Sequence, residues 1–345
     1  MVVSAIRRAA GWVAAVMLIA SSSLTAQATE LAPTPKPLAP GVSATLDSAR
    51  AERGARMSVA IFTYGPGAFV FEKFGHIALA LTDSTTGEDL ALNWGMFDFN
   101  QPNFLARFLT GDTKYWMAGY RTADFNAAYM GENRTIRQLD LQLTAVQRGA
   151  IADFVRWNAQ DANKYYRYDY FADNCATRVR DLLNWALQGQ LDVPFAAPGS
   201  GRTWRNETAR ITASDPLVYP GIQVALGRNA DHVLTKWEES FLPDLLANHL
   251  AALTVTDANG APVKLVVRDS VLFTAAPRTP ATLLMLGMGK LFPRSDRSPA
   301  IEPASPAELR RLMAADVALS AWHTGRCAHV AGGFYKSQAM ELVRV

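Results

Sequence analysis

The sequence predicts an α+β domain in which an antiparallel sheet packs on a helix that begins at a cysteine. Three observations carry that expectation. Residues 74–81 and 90–96 each read as a strand, and the run 82–89 between them, rich in Asp, Ser, Thr and Gly, closes a hairpin. Residues 57–63 set Met57, Val59 and Ile61 against Ser58, Ala60 and Phe62, and the mostly apolar character of both faces predicts a central strand. Thr144 and Gln147 form a capping box ahead of Ile151, Phe154, Val155 and Asn158 at helical spacing. A second helix, beginning at Asp173 or Asn174, buries a stripe of Val179, Leu182, Leu183, Ala186 and Leu187.

Composition bounds the class. With 345 residues, 49% of them hydrophobic, 19% charged and 10% aromatic, the chain is globular, neither disordered nor fibrous. The formal charge of +3 includes Arg7 and Arg8, which the leader removes, leaving 32 basic against 31 acidic side chains. That excludes a strongly basic nucleic-acid binder. Two cysteines, Cys175 and Cys327, do not make a disulfide framework.

The elements follow in order. Residues 1–28 read as a secretory signal, with Arg7 and Arg8 ahead of an apolar run and Ala26-Gln27-Ala28 as the cleavage site. An apolar run of about twelve residues is short of the ~20 needed to span a bilayer. Residues 29–54, with Pro33, Pro35, Pro37 and Pro40, predict a stiff tether, so the catalytic domain is expected over 55–250. Gly65-Pro66-Gly67 ends the first strand. Residues 97–125 mix aromatics with Gly and Asn without a period and are expected to be helix fragments and loops beside a site. Residues 134–143 return to alternation as another strand, and an aromatic loop, 165–171, precedes the cysteine helix. Residues 236–250 form a helix interrupted at Pro243. Residues 251–275 are expected as a β-hairpin extension around Asn259-Gly260, and 276–345 as an irregular C-terminal tail.

Cys175 falls in the first turn of its helix, where unpaired N–H groups and the positive dipole end favour thiolate over thiol. A nucleophile there needs an imidazole beside it, and His76, mid-strand between small residues, is the natural candidate. Asn93 shares a face with Ala91 and Gly95 on the neighbouring strand, where it can fix the tautomer of His76; Glu72 and Asp98 are rivals for that role. The alternative for each is structural, a buried thiol, a satisfied core histidine and a turn-side amide.

The segments Phe71-Glu72-Lys73-Phe74-Gly75-His76-Ile77-Ala78-Leu79, Asn93-Trp94-Gly95-Met96-Phe97-Asp98-Phe99, Tyr115-Trp116-Met117-Ala118-Gly119-Tyr120 and residues 168–183 resemble the periplasmic domain of the Lnb lipoprotein N-acyltransferase family. The stretch 234–244 shares the resemblance, which covers roughly residues 55–275. It implies a circularly permuted papain-like fold of the NlpC type, with His76 as base and Cys175 as acyl-accepting nucleophile. It also implies a phospholipid acyl donor and a lipoprotein or other amine acceptor in the periplasm. Members carry a transmembrane region after this domain, whereas the run 281–292 here is broken by Lys290, which points to peripheral membrane contact or a membrane-bound partner.

The leading expectation is therefore an exported cysteine acyltransferase that forms an acyl-thioester on Cys175 and needs no cofactor. An NlpC-type cell-wall amidase or peptidase using the same Cys-His pair is the alternative, and a non-catalytic binding module the third. His323, Cys327 and His329 are metal-capable, yet three close ligands without a fourth do not make a closed zinc site, and no metal is expected. His232 and His249 read as packing or solvent residues. Phe104, Phe108, Tyr115, Trp116 and Tyr120 are candidates for an acyl groove, for contact with a bilayer surface, or for ordinary core packing.

Overall fold

A helix, α1 (Pro40–Ala55), leads into a sheet whose strands are β1 (Met57–Tyr64), β2 (His76–Asp83), β3 (Glu88–Met96) and β4 (Lys114–Arg121). The chain continues through α2 (Thr122–Gly131), β5 (Ile136–Leu141), α3 (Ala145–Asn158), β6 (Tyr165–Arg167) and α4 (Cys175–Ala186). Helices α5 (Asp192–Ala196), α6 (Trp204–Thr212), α7 (Val218–Ala225), α8 (Lys236–Glu239) and α9 (Pro243–Ala252) follow. The small hairpin of β7 (Thr254–Thr256) and β8 (Pro262–Lys264) precedes β9 (Val266–Phe273). The computed structural model describes residues 40–68, 72–97, 114–216 and 218–277. The leader, the 281–292 run and the His323, Cys327 and His329 group lie outside them.

The sheet order is β6-β4-β3-β2-β1-β5-β9, and the paired neighbours are all antiparallel. Strand alternation divides the side chains between two unlike faces. On one face Val59, Ile61, Ile77, Leu79, Leu81, Leu92 and Trp94 pack against Ile151, Phe154, Val179, Leu182, Leu183, Leu246 and Leu250 from α3, α4 and α9. On the other, Ala78, Ala80, Ala91 and Ala118 are small, which leaves room for Phe62, Tyr64, Tyr120 and, from α2, Phe125. The expected hairpin, central strand and both helix starts are all present, with Thr144 and Gln147 exchanging the capping-box bonds.

Four stretches differ from expectation. Residues 40–54, expected as part of the tether, belong to α1, because Pro40 sits where a helix tolerates proline and no proline follows it in the segment. Within 97–125, residues 114–121 form a regular strand whose aromatic and glycine content masked its alternation, while 98–113 lie outside the described residues. The aromatic loop contains β6, which extends the sheet beside β4. The expected hairpin around Asn259-Gly260 consists of β7 and β8, and β9 leaves it to pair along β5 as an edge of the main sheet.

Helix α1 crosses α3 so closely that a Cβ on Gly149 would collide with the Arg50 backbone, and one on Gly54 with that of Ala145. The crossing encloses Asp153, which accepts from Arg50 Nε at 3.0 Å and from Arg53 Nη2 at 2.6 Å, with Arg156 at 3.0 Å. Arg50 and Arg53 are 2% and 3% exposed. Burial pulls the Arg53 guanidinium below its usual range while the Asp153 charge opposes that shift.

Removing a buried partner strands its counter-charge, whereas an exposed pair contributes little. Asp153→Ala is expected to lower the unfolding free energy by about 3 kcal/mol. Asp124→Ala, which breaks the pair with Arg121 at 3.6 Å between side chains 76% and 58% exposed, is expected to cost less than about 0.5 kcal/mol. Urea titration of both variants checks the contrast, and equal losses would show that α1 does not depend on the Asp153 clamp.

Candidate active site

Asn174 makes the helix start at which Cys175 stands. Its extended backbone lets Oδ1 accept from the N–H of Ala176 at 2.8 Å and of Thr177 at 2.9 Å, while Thr177 Oγ1 accepts from Asn174 N–H at 2.8 Å. The Asn174 Nδ2 group donates to the carbonyls of Tyr170 at 2.7 Å and Phe241 at 2.9 Å, tying the helix to the preceding loop and to the turn before α9. Arg178, one turn on, grips Asp173 through two bonds at 2.7 and 2.8 Å and lies 3.5 Å over the Tyr166 ring. Cys175 is a free thiol, 7% exposed.

His76 is the first residue of β2. Gly75 before it has φ +76°, and a Cβ there would press on the Tyr64 carbonyl at 2.9 Å, so glycine is the residue that fits this entry to the strand. The imidazole turns to the face of Tyr64 and α2, parallel to Tyr129 at 6.1 Å and stacked on Tyr64 at 6.2 Å, with Phe125 edge-on at 6.3 Å. Its Nε2 lies 2.5 Å from Asn93 Oδ1, and Asn93 Nδ2 donates to Met96 Sδ at 2.9 Å. With the amide oriented so, Nε2 carries the proton and Nδ1 is left as the ring's acceptor.

The thiol approaches the same strand end from the opposite face. The N–H groups of Ile77, Ala176 and Cys175 itself all favour its anion, so Sγ sits against the residue that follows His76. The sequence expectation was that the helix start favours thiolate, and those contributions are present, but desolvation outweighs them and pushes the thiol up to about 11. Burial also lowers His76 to about 4, aided by the charge of Arg134 and opposed by the Asn93 hydrogen bond. At neutral pH both groups are therefore uncharged.

Of the rival third residues, Glu72 faces Arg134 at 3.8 Å, and Asp98 lies outside the described residues. The aromatic set is divided by the sheet. Tyr115 is on the cysteine face, stacked on Tyr168 at 4.4 Å, while Trp116 and Tyr120 belong to the other face; Phe104 and Phe108 are outside the described residues. His232 pairs with Glu238 at 2.9 Å and His249 with Glu239 at 2.6 Å. Among the described residues no group of three or more His, Cys, Asp or Glu is arranged to hold a metal. Sequence reasoning missed Tyr129 and Arg134, whose one signal was an arginine opening an otherwise alternating strand.

Comparison with known proteins adds two matches. Residues 49–207 match the family described as the Lnb N-terminal periplasmic domain, which takes in β1–β6, α4, His76, Asn93 and Cys175. Residues 261–344 match the magnesium-protoporphyrin IX methyltransferase C-terminus. In keeping with the second match, a magnesium-protoporphyrin O-methyltransferase of Rhodobacter capsulatus is 38% identical over 77 residues, 21% of this chain and 30% of that protein. The chain thus spans about 30% of the length of that curated relative. No solved structure matches the chain.

The depressed midpoint of His76 makes a linkage prediction. Protonation favours the unfolded chain, so the contribution is complete above the ordinary 6.5 and is lost as pH falls through about 4. Between pH 7 and pH 4 the wild type is expected to lose on the order of 3 kcal/mol more unfolding free energy than His76→Gln. Urea unfolding at the two pH values measures it, and parallel losses in both proteins would place the imidazole in an unburied site.

Proposed function

Because residues 49–207 carry an Lnb N-terminal periplasmic domain, we propose that this chain is an exported thiol acyltransferase that takes an acyl group from a phospholipid onto Cys175. The observation that carries the reading is the convergence on one strand end of a thiol at a capped helix start and an imidazole whose Nε2 is held by Asn93. The proposal includes a circularly permuted papain-like arrangement, in which the histidine strand precedes the cysteine helix.

The steps follow from the protonation states. As Sγ attacks the ester carbonyl, its proton passes to His76 Nδ1, and Asn93 steadies the resulting imidazolium through Nε2. The tetrahedral oxyanion collapses, the ester C–O bond breaks, and the imidazolium returns the proton to the leaving alcohol. An acyl-thioester remains on Cys175. An acceptor amine of a lipoprotein then attacks the thioester, His76 takes the amine proton, and the thiol is regenerated by that proton as the amide forms. Asn93 is a positioning residue, and Cys175 and His76 are the reacting pair.

Leader cleavage after Ala28 is part of the proposal and agrees with a periplasmic-domain family. Among the described residues no helix is long and apolar enough to cross a membrane. Contact with lipid is assigned to a peripheral encounter or to a membrane-bound partner. An acyl chain gains ~0.8 kcal/mol per buried CH₂, and the ring cluster of Phe97, Tyr115, Tyr168 and Tyr170 offers apolar surface on the cysteine side.

Mass spectrometry after incubation with phosphatidylethanolamine vesicles tests the reading. A hydroxylamine-labile acyl adduct on Cys175 is expected, absent from Cys175→Ala and reduced at least ~100-fold in rate in His76→Ala. No adduct together with cleavage of purified muropeptides would replace the acyltransferase by a cell-wall amidase. Inertness toward both would leave a binding module.

A further inference from the structure

We infer that Arg134 is the positioning residue for His76 and supplies the fixed positive charge of the thiol–imidazole site. The inference rests on the reading of Cys175 and His76 as the reacting pair. Arg134 is 3% exposed and stands two residues before β5. Its Nε donates at 2.8 Å to the carbonyl of Gly65, the residue after Tyr64, and Tyr64 is the cross-strand partner of His76. Its Nη1 reaches Glu132 at 3.4 Å and Glu72 at 3.8 Å. The Glu72 carbonyl in turn accepts from Gly75 N–H at 3.0 Å, directly ahead of His76. The guanidinium lies 4.5 Å over Tyr129, the ring that runs parallel to the imidazole and stacks on Tyr64 at 3.9 Å.

Three chain segments that converge on the imidazole are thus joined by one side chain. Among the described residues Arg134 Nη2 is buried without a hydrogen-bond partner, as are donors of the structural arginines Arg50 and Arg53; what sets Arg134 apart is its place beside the imidazole. The groups around His76 are Tyr64 from β1, Tyr129 from α2, Asn93 from β3, Cys175 from α4, Glu72 from the segment before β2, and Glu132 with Arg134 from the approach to β5. The two carboxylates among them, Glu72 and Glu132, both lie on Arg134 Nη1. The cation disfavours imidazolium on His76 and favours thiolate on Cys175. It therefore keeps Nδ1 free to accept a proton while easing the build-up of negative charge on sulfur.

The test needs no acyl donor. Nitrogen-15 NMR of labelled histidine follows the His76 midpoint, and iodoacetamide follows Cys175. Arg134→Met is expected to raise the His76 midpoint by ~1 pH unit and to slow alkylation at pH 9 by ~3-fold or more, with Arg134→Lys restoring both. Glu132→Gln, at a half-exposed position, is expected to shift both readouts in the opposite direction. A folded Arg134→Met with neither readout moved overturns the inference. If that variant does not fold, an unmoved or upward His76 midpoint in Glu132→Gln overturns it instead. The acyl-adduct assay run in parallel separates the two readings. Midpoints that move without any adduct leave this inference standing and remove the substrate, and adducts with unmoved midpoints do the reverse.

Discussion

Desolvation at the start of β2 is the constraint on which the rest of the site depends. A helix start, three backbone N–H groups and a nearby guanidinium all act to stabilise a thiolate at Cys175, and burial still leaves the thiol protonated. The same burial keeps His76 neutral. The donors around sulfur are therefore aimed at a charge that is absent at rest. That is the arrangement expected of a preorganised electrostatic environment, since dipoles already oriented need no reorganisation when the charge develops.

The second constraint is the difference between the sheet's faces. Leucine, isoleucine and valine side chains on one face bury α3, α4 and α9, which brings the cysteine helix onto β2. Alanines on the other face admit the rings of Tyr64, Phe125 and Tyr129, which hold the imidazole between them. Thiol and imidazole come from opposite faces and both lie at the start of β2. Neither layer alone builds this arrangement, which depends on the packing of both. On the cysteine side the capping Asn174 adds a further tie, because one side chain fixes the helix start, the Tyr170 loop and the turn at Phe241.

The chain also joins two kinds of sequence. The stretch similar to the Lnb N-terminal periplasmic domain holds six of the seven strands of the main sheet, whereas β9 falls within the stretch that matches a methyltransferase C-terminus. In this fold β9 is an edge strand on β5, anchored by Arg137 to Asp269 at 2.7 Å and Arg268 to Asp140 at 2.5 Å. Val267, Val271 and Leu272 remain exposed on it. Edge addition of this kind asks mainly for an unpaired backbone ladder and tolerates varied side chains.

The sequence by itself determined the elements whose signals are local. Alternation in 57–63, the turn chemistry of 82–89, the Thr144–Gln147 box and the asparagine before Cys175 each act within a few residues, so each was legible. Cys175, His76 and Asn93 were legible as candidates because their residue types and places on elements carry chemistry. What only the tertiary structure decided depends on contacts between distant segments. Helix α1 forms against α3 through charges about a hundred residues apart, β9 joins a strand from the other half of the chain, and Arg134 reaches Gly65, Glu72 and Tyr129 at once. The sign of the thiol's shift belongs here too. A helix start can be read from sequence, but the depth of burial that overrides it is a property of everything packed around the sulfur.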